Sequence, residues 1–439
     1  MARRRTAVLA AALAAVAAAV PGATAGAGGS AKPRFAAYAA PSGVGDEAGE
    51  PTLGADPRTG QVYFQAGPRT LAVTFDGRGG SRWRDVSPLL EGLYTLDPIL
   101  ETDRVTGRTF TSQLDTYCSR MAYTDDRGET WTQVPLGCGI GALFDHQSVG
   151  TGAFRPGTEP LGSYPNAVYY CAQTVATANC STSLDGGFTF LPANVAWTAA
   201  TCDTAHGHLQ AAPDGTVYLP PETCGGHAGL ARSDDNGRTW TVHVVPGSTF
   251  GDAMDPSVGV GSDGTVYYAW GGRDGAGPGG AAYVSVSRDR AETWTKPVAL
   301  GRDLHVRNTR FVSVVAGDGD RAAVSFLGTT TGGDGSLPGF TGEWHEYVSF
   351  TWDRGRHWTT VDATPRAPVQ VGGICTSGTL CTQDRNLLDF ADLTIDPKGR
   401  VLAAIADGCP GPVCTAGVRG SKATILRQES GRGLLRRYD

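Results

Sequence analysis

Methionine is almost missing from this chain, 3 residues in 439, while glycine and proline supply 62 and 26. That balance argues against long helices and for many short strands joined by turns. Past residue 20 there is no apolar run long enough to cross a membrane as a helix. No cysteine follows the N-terminal apolar run to carry a lipid. An excess of positive charge is also lacking. Setting aside Arg3, Arg4 and Arg5 of the leader leaves 34 basic against 43 acidic residues, a formal net charge of −9. Nucleic acid and anionic lipid are therefore not expected partners.

The first 25 residues read as a secretory signal. Three arginines precede an Ala/Val/Leu run from about Ala7 to Val20, and Ala23-Thr24-Ala25 supplies a small-residue cleavage site. The mature chain is expected to begin near Gly26 and to be secreted. Ten cysteines in an exported chain point to disulfides before metal. The economical pairing is sequential: Cys118 with Cys138, Cys171 with Cys180, Cys202 with Cys224, Cys375 with Cys381 and Cys409 with Cys414. Sequence leaves the connectivity open, and the Cys-x5-Cys and Cys-x4-Cys spacings near the C-terminus keep a thiolate zinc site as an alternative.

What the chain does have is a repeat. It reads Thr124-x-Asp126-x-Gly128-x-Thr130-Trp131, Ser183-x-Asp185-x-Gly187-x-Thr189-Phe190, Ser233-x-Asp235-x-Gly237-x-Thr239-Trp240, Ser287-x-Asp289-x-Ala291-x-Thr293-Trp294 and Thr351-x-Asp353-x-Gly355-x-His357-Trp358. A sixth, stretched copy runs from Thr74 and Asp76 through Gly79 and Gly80 to Trp83. In each, an Asp can accept from turn amides, a small residue takes a positive φ, and an aromatic anchors the outgoing strand. The pattern resembles the Asp-box, or BNR repeat, of sialidases and related β-propellers. Successive Asp positions lie 50, 59, 50, 54 and 64 residues apart, a period suited to one four-stranded blade.

Between the boxes lies a second repeat, two apolar strands around a turn. Seven such hairpins occur, with turns at Asp56–Gly60, Asp103–Gly107, Arg155–Gly162, Pro213–Gly215, Ser262–Gly264, Gly317–Asp320 and Asp396–Gly399. The expected fold is all-β, a single seven-bladed β-propeller over 26–439 with short disordered segments near 26–32 and 430–439. Seven inner hairpins and six boxes suggest a ring closed by the two chain ends. The last blade would take strand C from about Ala423 to Arg427 and strand D from Phe35 to Ala40, leaving no hairpin to carry a box. The other reading makes 429–433 a decayed turn before a final strand near 434–437. Either closure removes the open sheet edge.

With strands lettered A to D outwards, boxes at C–D turns share a face with the A–B turns. The B–C and D–A loops, and all ten cysteines, fall on the opposite face. Around that face the inner strand starts are polar: Glu50, Asp97, Asp145 with His146, His206 with His208, Asp252 with Asp255, Arg307 with Arg310, and Asp389 with Asp392. They read either as the wet lining of a propeller channel or as a pocket for a polar ligand, for which Asp97, Asp145, His146, His206, His208, Asp255, Arg310 and Asp389 are the candidates. His206 and His208 with His146 or Asp145 leave a metal site open; no cofactor is expected. Trp344 reads as strand packing or as a sugar-stacking platform.

The resemblance covers the scaffold and stops there. Sialidases carry a Phe/Tyr-Arg-Ile/Leu-Pro motif near the propeller start, three arginines that grip the substrate carboxylate, a Tyr–Glu nucleophilic pair and an Asp acid/base. No Arg-Ile-Pro motif occurs here, and Lys32-Pro33-Arg34-Phe35 is not an equivalent. The expectation is thus a secreted, monomeric propeller that binds a polar ligand, glycan or protein partner on the disulfide-bearing face. The alternative is a glycoside hydrolase, sialidase-like or endoglucanase-like, drawing on Asp97, Asp145, Asp255 and Asp389.

Overall fold

A computed structural model describes residues 32–89, 95–114, 118–138, 145–251, 255–273, 279–381, 384–411 and 414–439. The leader, residues 26–31, Asp252 and most of the Gly-rich loop after Arg273 lie outside them. Seven antiparallel sheets follow one another along the chain as four-stranded blades, sequential in order in all but the last, and the sheet of Asn308–Ala316 takes one further short strand, Gln370–Val371. The inner strands are Thr52–Ala55, Pro98–Thr102, Asp145–Ala153, Gln210–Ala211, Ser257–Val260, Asn308–Ala316 and Asp392–Ile395. We number the blades 1 to 7 in that order. Each inner strand touches its neighbours in the ring, so the seven form the wall of a central channel.

Ring closure follows the two-ended scheme. Blade 7 runs Asp392–Ile395, Val401–Asp407, Lys422–Ser430, and its outer strand is Arg34–Ala39 from the other end of the chain. The register pairs Phe35 with Gln428 and Ala39 with Thr424. Second strands carry the apolar core: Val217, Tyr218 and Leu219 in blade 4, and Val266 to Trp270 in blade 5, are all fully buried between adjacent sheets.

Each repeated Asp closes its C–D turn as its chemistry requires. Asp126, Asp185, Asp235 and Asp289 each accept from the amide four residues on at 2.9 Å, and Asp353 does so at 3.0 Å. The Ser or Thr two places earlier accepts from the amide of the small residue, as Ser183 Oγ does from Gly187 at 2.8 Å. Asp235 is spent in this way, so the acidic run at 234–237 is a turn.

The C-terminal segment corrects one expectation. Residues 431–439 are docked, not disordered: Leu434 is fully buried and Arg321 grips the Asp439 carboxylate with two bonds of 2.7 and 2.6 Å. Apolar burial and a two-pronged ion pair hold a segment whose polar composition suggested a free tail.

Disulfides join Cys171 to Cys180, Cys202 to Cys224, Cys375 to Cys381 and Cys409 to Cys414. Cys118 stands opposite Cys138 in the strand register, but the Cys138 side chain lies outside the described residues. These cysteines sit in or beside B–C and D–A connections, away from the repeated turns. Among the described residues, no helix is long and apolar enough to cross a membrane.

Candidate functional site

The channel itself is tight, a space of about 40 Å³ lined by residues of the inner strands such as Leu100, Val149, Val258 and Leu393. That is room for a water or two. Any ligand of this channel would therefore meet it at its mouth, where the D–A connections deliver the chain to the inner strands.

Two of the mouth residues reach it through unusual backbone. Glu50 and His146 take φ of 54° and 45°, the left-handed region that non-glycine residues avoid. At His146 the ladder skips from Asp145 to Ser148, a bulge that turns the imidazole out of the sheet. Its Nδ1 then lies 3.2 Å from Asp255 Oδ1, before the blade 5 strand. Behind it, the buried Gln147 fixes Asp97: its amide donates to Asp97 Oδ2 at 2.6 Å, its side chain donates to the Asp97 carbonyl, and Ser112 Oγ donates to its Oε1 at 2.8 Å. Across the ring, Arg385 grips Asp389 with both guanidinium nitrogens.

Burial and crowding of like charge set the protonation here. Burial, then the charges of Asp97 and Asp389, hold Glu50 well above the usual carboxylate range. Asp97 is pushed up to about 8 by burial, opposed by His146 and reinforced by Asp145. Burial alone would lower His146, but Asp255, Asp97 and Asp145 outweigh it and hold the imidazole well above its ordinary value. The mouth therefore holds carboxyl groups shifted towards their protonated, donating form beside an imidazole shifted towards its charged form.

The structure brings Glu50, Asp97, Asp145, His146, Asp255 and Asp389 into one electrostatic cluster. Asp145 is exposed there. The other candidates are committed to packing, the channel wall or the rim, although His206 still feels the charge of His146. His206 is 1 % exposed, its Nδ1 lies 2.9 Å from the Gly207 carbonyl, its ring packs edge-on to Trp197, and burial pushes it down to about 3. His208 lines the narrow channel, edge-on to Phe390 at 4.6 Å between ring centres. Arg310 is 1 % exposed within blade 6, donating to the Thr309 carbonyl at 2.8 Å with its guanidinium 5.5 Å from the Trp344 ring centre. Trp344, fully buried with its indole NH on the Gly372 carbonyl, is packing and no sugar platform. Arg307 is exposed on the rim, and Asp392 accepts the Leu53 amide at 3.0 Å in the channel wall. Among the described residues no three His, Cys, Asp or Glu side chains are grouped to hold a metal ion.

Two further functional candidates lie outside the strand starts. Glu222 comes from the B–C loop of blade 4, where burial and then Asp255 push it up to about 7. Arg385 comes from the long connection after blade 6. Each stands two or four residues from a disulfide cysteine, Glu222 before Cys224 and Arg385 after Cys381, which is the one sequence signal that marked these loops.

No family model matches the chain, and no curated protein matches it. Solved structures do. A protein of unknown function from Dyadobacter fermentans is 14% identical with a TM-score of 0.43, over 89% of this chain and 97% of that one. The fucose-specific lectin of Aleuria aurantia is 13% identical with a TM-score of 0.44, over 73% and 97%. A mutant of the NanB sialidase from Streptococcus pneumoniae is 11% identical with a TM-score of 0.46, over 85% and 82%. Identities and scores this low carry no residue role from those proteins to this one.

Proposed function

We propose that the protein is an exported Asp-box propeller that binds a polar ligand, a glycan or a glycan-bearing protein partner, at the acidic mouth on its disulfide-bearing face. The observation that carries this reading is the meeting of Glu50, Asp97, the His146–Asp255 pair, Glu222 and the Arg385–Asp389 pair above a channel too narrow to admit a ligand. Protonated carboxyls donate and accept, and disulfides fix the loops that bear Glu222 and Arg385, so hydroxyl groups would be met by partly preorganised partners.

A second reading, glycoside hydrolysis, is favoured by one feature. Glu222 is partly exposed and pushed up to about 7, the property of a general acid, with further carboxylates close by. Asp97, also raised, is less suited because its Oδ2 already accepts the Gln147 amide.

Screening the purified protein against a glycan array, with product analysis on every sugar bound, separates the readings. Binding without turnover, weakened about tenfold or more by Asp97→Asn and His146→Ala, supports the binding module. Released sugar that disappears in Glu222→Gln moves the function to hydrolysis. A glycan bound equally well by all three variants would remove the mouth from consideration.

A further inference from the structure

The face that carries the repeated turns has an opening where the repeat fails. In each regular turn the small residue is pressed onto the preceding blade. A Cβ on Gly128 would sit 2.8 Å from Val86, on Gly187 2.7 Å from Phe110, on Gly237 2.9 Å from Thr182 and on Gly355 2.7 Å from Val286, while Ala291 is fully buried. The stretched turn of blade 1 has no such contact: nothing lies within 4 Å of a Cβ on Gly77 or Gly79. Between blades 7 and 1 this leaves a groove of about 460 Å³, within the range of ligand sites.

Its charge is one-sided. Arg58, Arg127, Lys398, Arg400 and Arg427 line it, with Asp396 as the one carboxylate among the lining residues. Asp396 is spent on Arg400 at 2.5 Å, and Arg427, only 7 % exposed, is held by Glu429 at 2.6 Å and by the Phe75 ring. Arg58 is 3.4 Å from Asp56. Lys398 and Arg127 have no carboxylate partner among the described residues. In a chain of net negative charge, such a concentration of cations creates a local attraction for anions that the whole-protein charge conceals.

We propose that this groove binds an acidic saccharide, with its sulfate or carboxylate groups against Lys398 and Arg127. A saccharide fits better than an acidic peptide. The strands behind the groove, Val62–Ala66, Arg69–Phe75 and Lys422–Ser430, are paired on both sides, so no free edge remains to take a peptide backbone. The remaining lining includes the exposed hydroxyl of Thr74, which suits a sugar oxygen. The site is on the opposite face from the acidic mouth, so it stands or falls independently of the function proposed there.

Calorimetry with a sulfated tetrasaccharide at low salt tests it, with a neutral tetrasaccharide, inorganic sulfate and a poly-glutamate peptide as the other arms. The sulfated sugar is expected to bind, to weaken as salt rises, and to lose about tenfold in affinity in Lys398→Ala and again in the double variant with Arg127→Asn. Asparagine is chosen because Arg127 has a φ of 66°. Arg238→Ala, an exposed cation on the blade 4 turn, should leave binding unchanged. The proposal is overturned if the double variant binds as tightly as the parent protein, if only poly-glutamate binds, or if inorganic sulfate binds as tightly as the sugar.

Discussion

His146 Nδ1 lies 3.2 Å from Asp255 Oδ1, so a residue of blade 3 pairs with one at the start of blade 5 and passes over blade 4. The intervening inner strand, Gln210–Ala211, is only two residues long, and the pair adds a side-chain link between the blades on either side of it.

That pair has a definite pH dependence. The imidazole is held well above its usual value of about 6.5, so its contribution is fully present below that value and is lost as pH rises through the folded one. NMR titration of the histidine side chains should find His146 still charged at pH about 7 and brought down by Asp255→Asn, because burial then dominates. A titration in Asp255→Asn that matches the parent protein would show the pair to be energetically idle.

Three buried carboxyls should cost stability as pH rises from mildly acidic towards 8. Asp97, Glu101 and Glu346 are each pushed up to about 8, chiefly by burial. Their folded values exceed the unfolded ones, so the contribution of these three groups is fully present below about pH 4 and declines as pH rises towards 8. Glu346 is fully buried in blade 6, remote from the mouth residues in the fold. Glu346→Gln is expected to raise the Tm at pH about 9 and to leave it nearly unchanged at pH about 5. Equal shifts at both values would contradict the buried-acid account.

The scaffold was legible because its signals are local. Asp185 and Gly187 write their turn into four consecutive backbone groups, and the period between such turns counts blades. The number of inner hairpins against boxes also located the closure between Phe35 and Gln428. The mouth was legible only in part, because a polar strand start does not reveal where its side chain points. The bulge at His146 turns it into the site, whereas Arg310, in a comparable register, is drawn into the blade beneath Trp344. Glu222 and Arg385 arrive from long loops whose course depends on tertiary packing. The basic groove was hidden for another reason: the repeated face was expected to hold least chemistry, and its opening depends on a contact that one turn fails to make.

The repeated turns should be separable from binding. Asp185 accepts from Ser183 Oγ, from the Phe188 and Thr189 amides and from Thr189 Oγ1, at 2.6 to 3.1 Å. Asp185→Ala removes a half-exposed turn acceptor and is expected to cost about 1–2 kcal/mol in urea unfolding, by analogy with loss of a helix cap. Ligand affinity at the mouth should not change; a parallel loss of affinity would show that the turn and the mouth are coupled.

Leu434 and Asp439 make the final prediction, because blade 7 has no turn of its own to press onto blade 6. The C-terminal segment takes that place. Its Leu434 amide donates to the Gly399 carbonyl of blade 7 at 2.7 Å, and its carbonyl accepts from Asp318 of blade 6 at 2.9 Å. Trp352 donates to the Gly433 carbonyl at 3.3 Å, and Arg436 pairs with Asp320. The segment therefore fastens two blades next to the seam where the ring is closed by strands from opposite chain ends. Leu434→Ala should cost about 2–4 kcal/mol, the range for truncating a buried leucine. Asp439→Asn should cost less, since that carboxylate is partly exposed and screened. Deleting 434–439 should exceed either change and raise hydrogen exchange in the Arg34–Ala39 strand, because fraying begins at the seam. Unchanged exchange in that strand after deletion would mean that the strand ladder alone closes the ring.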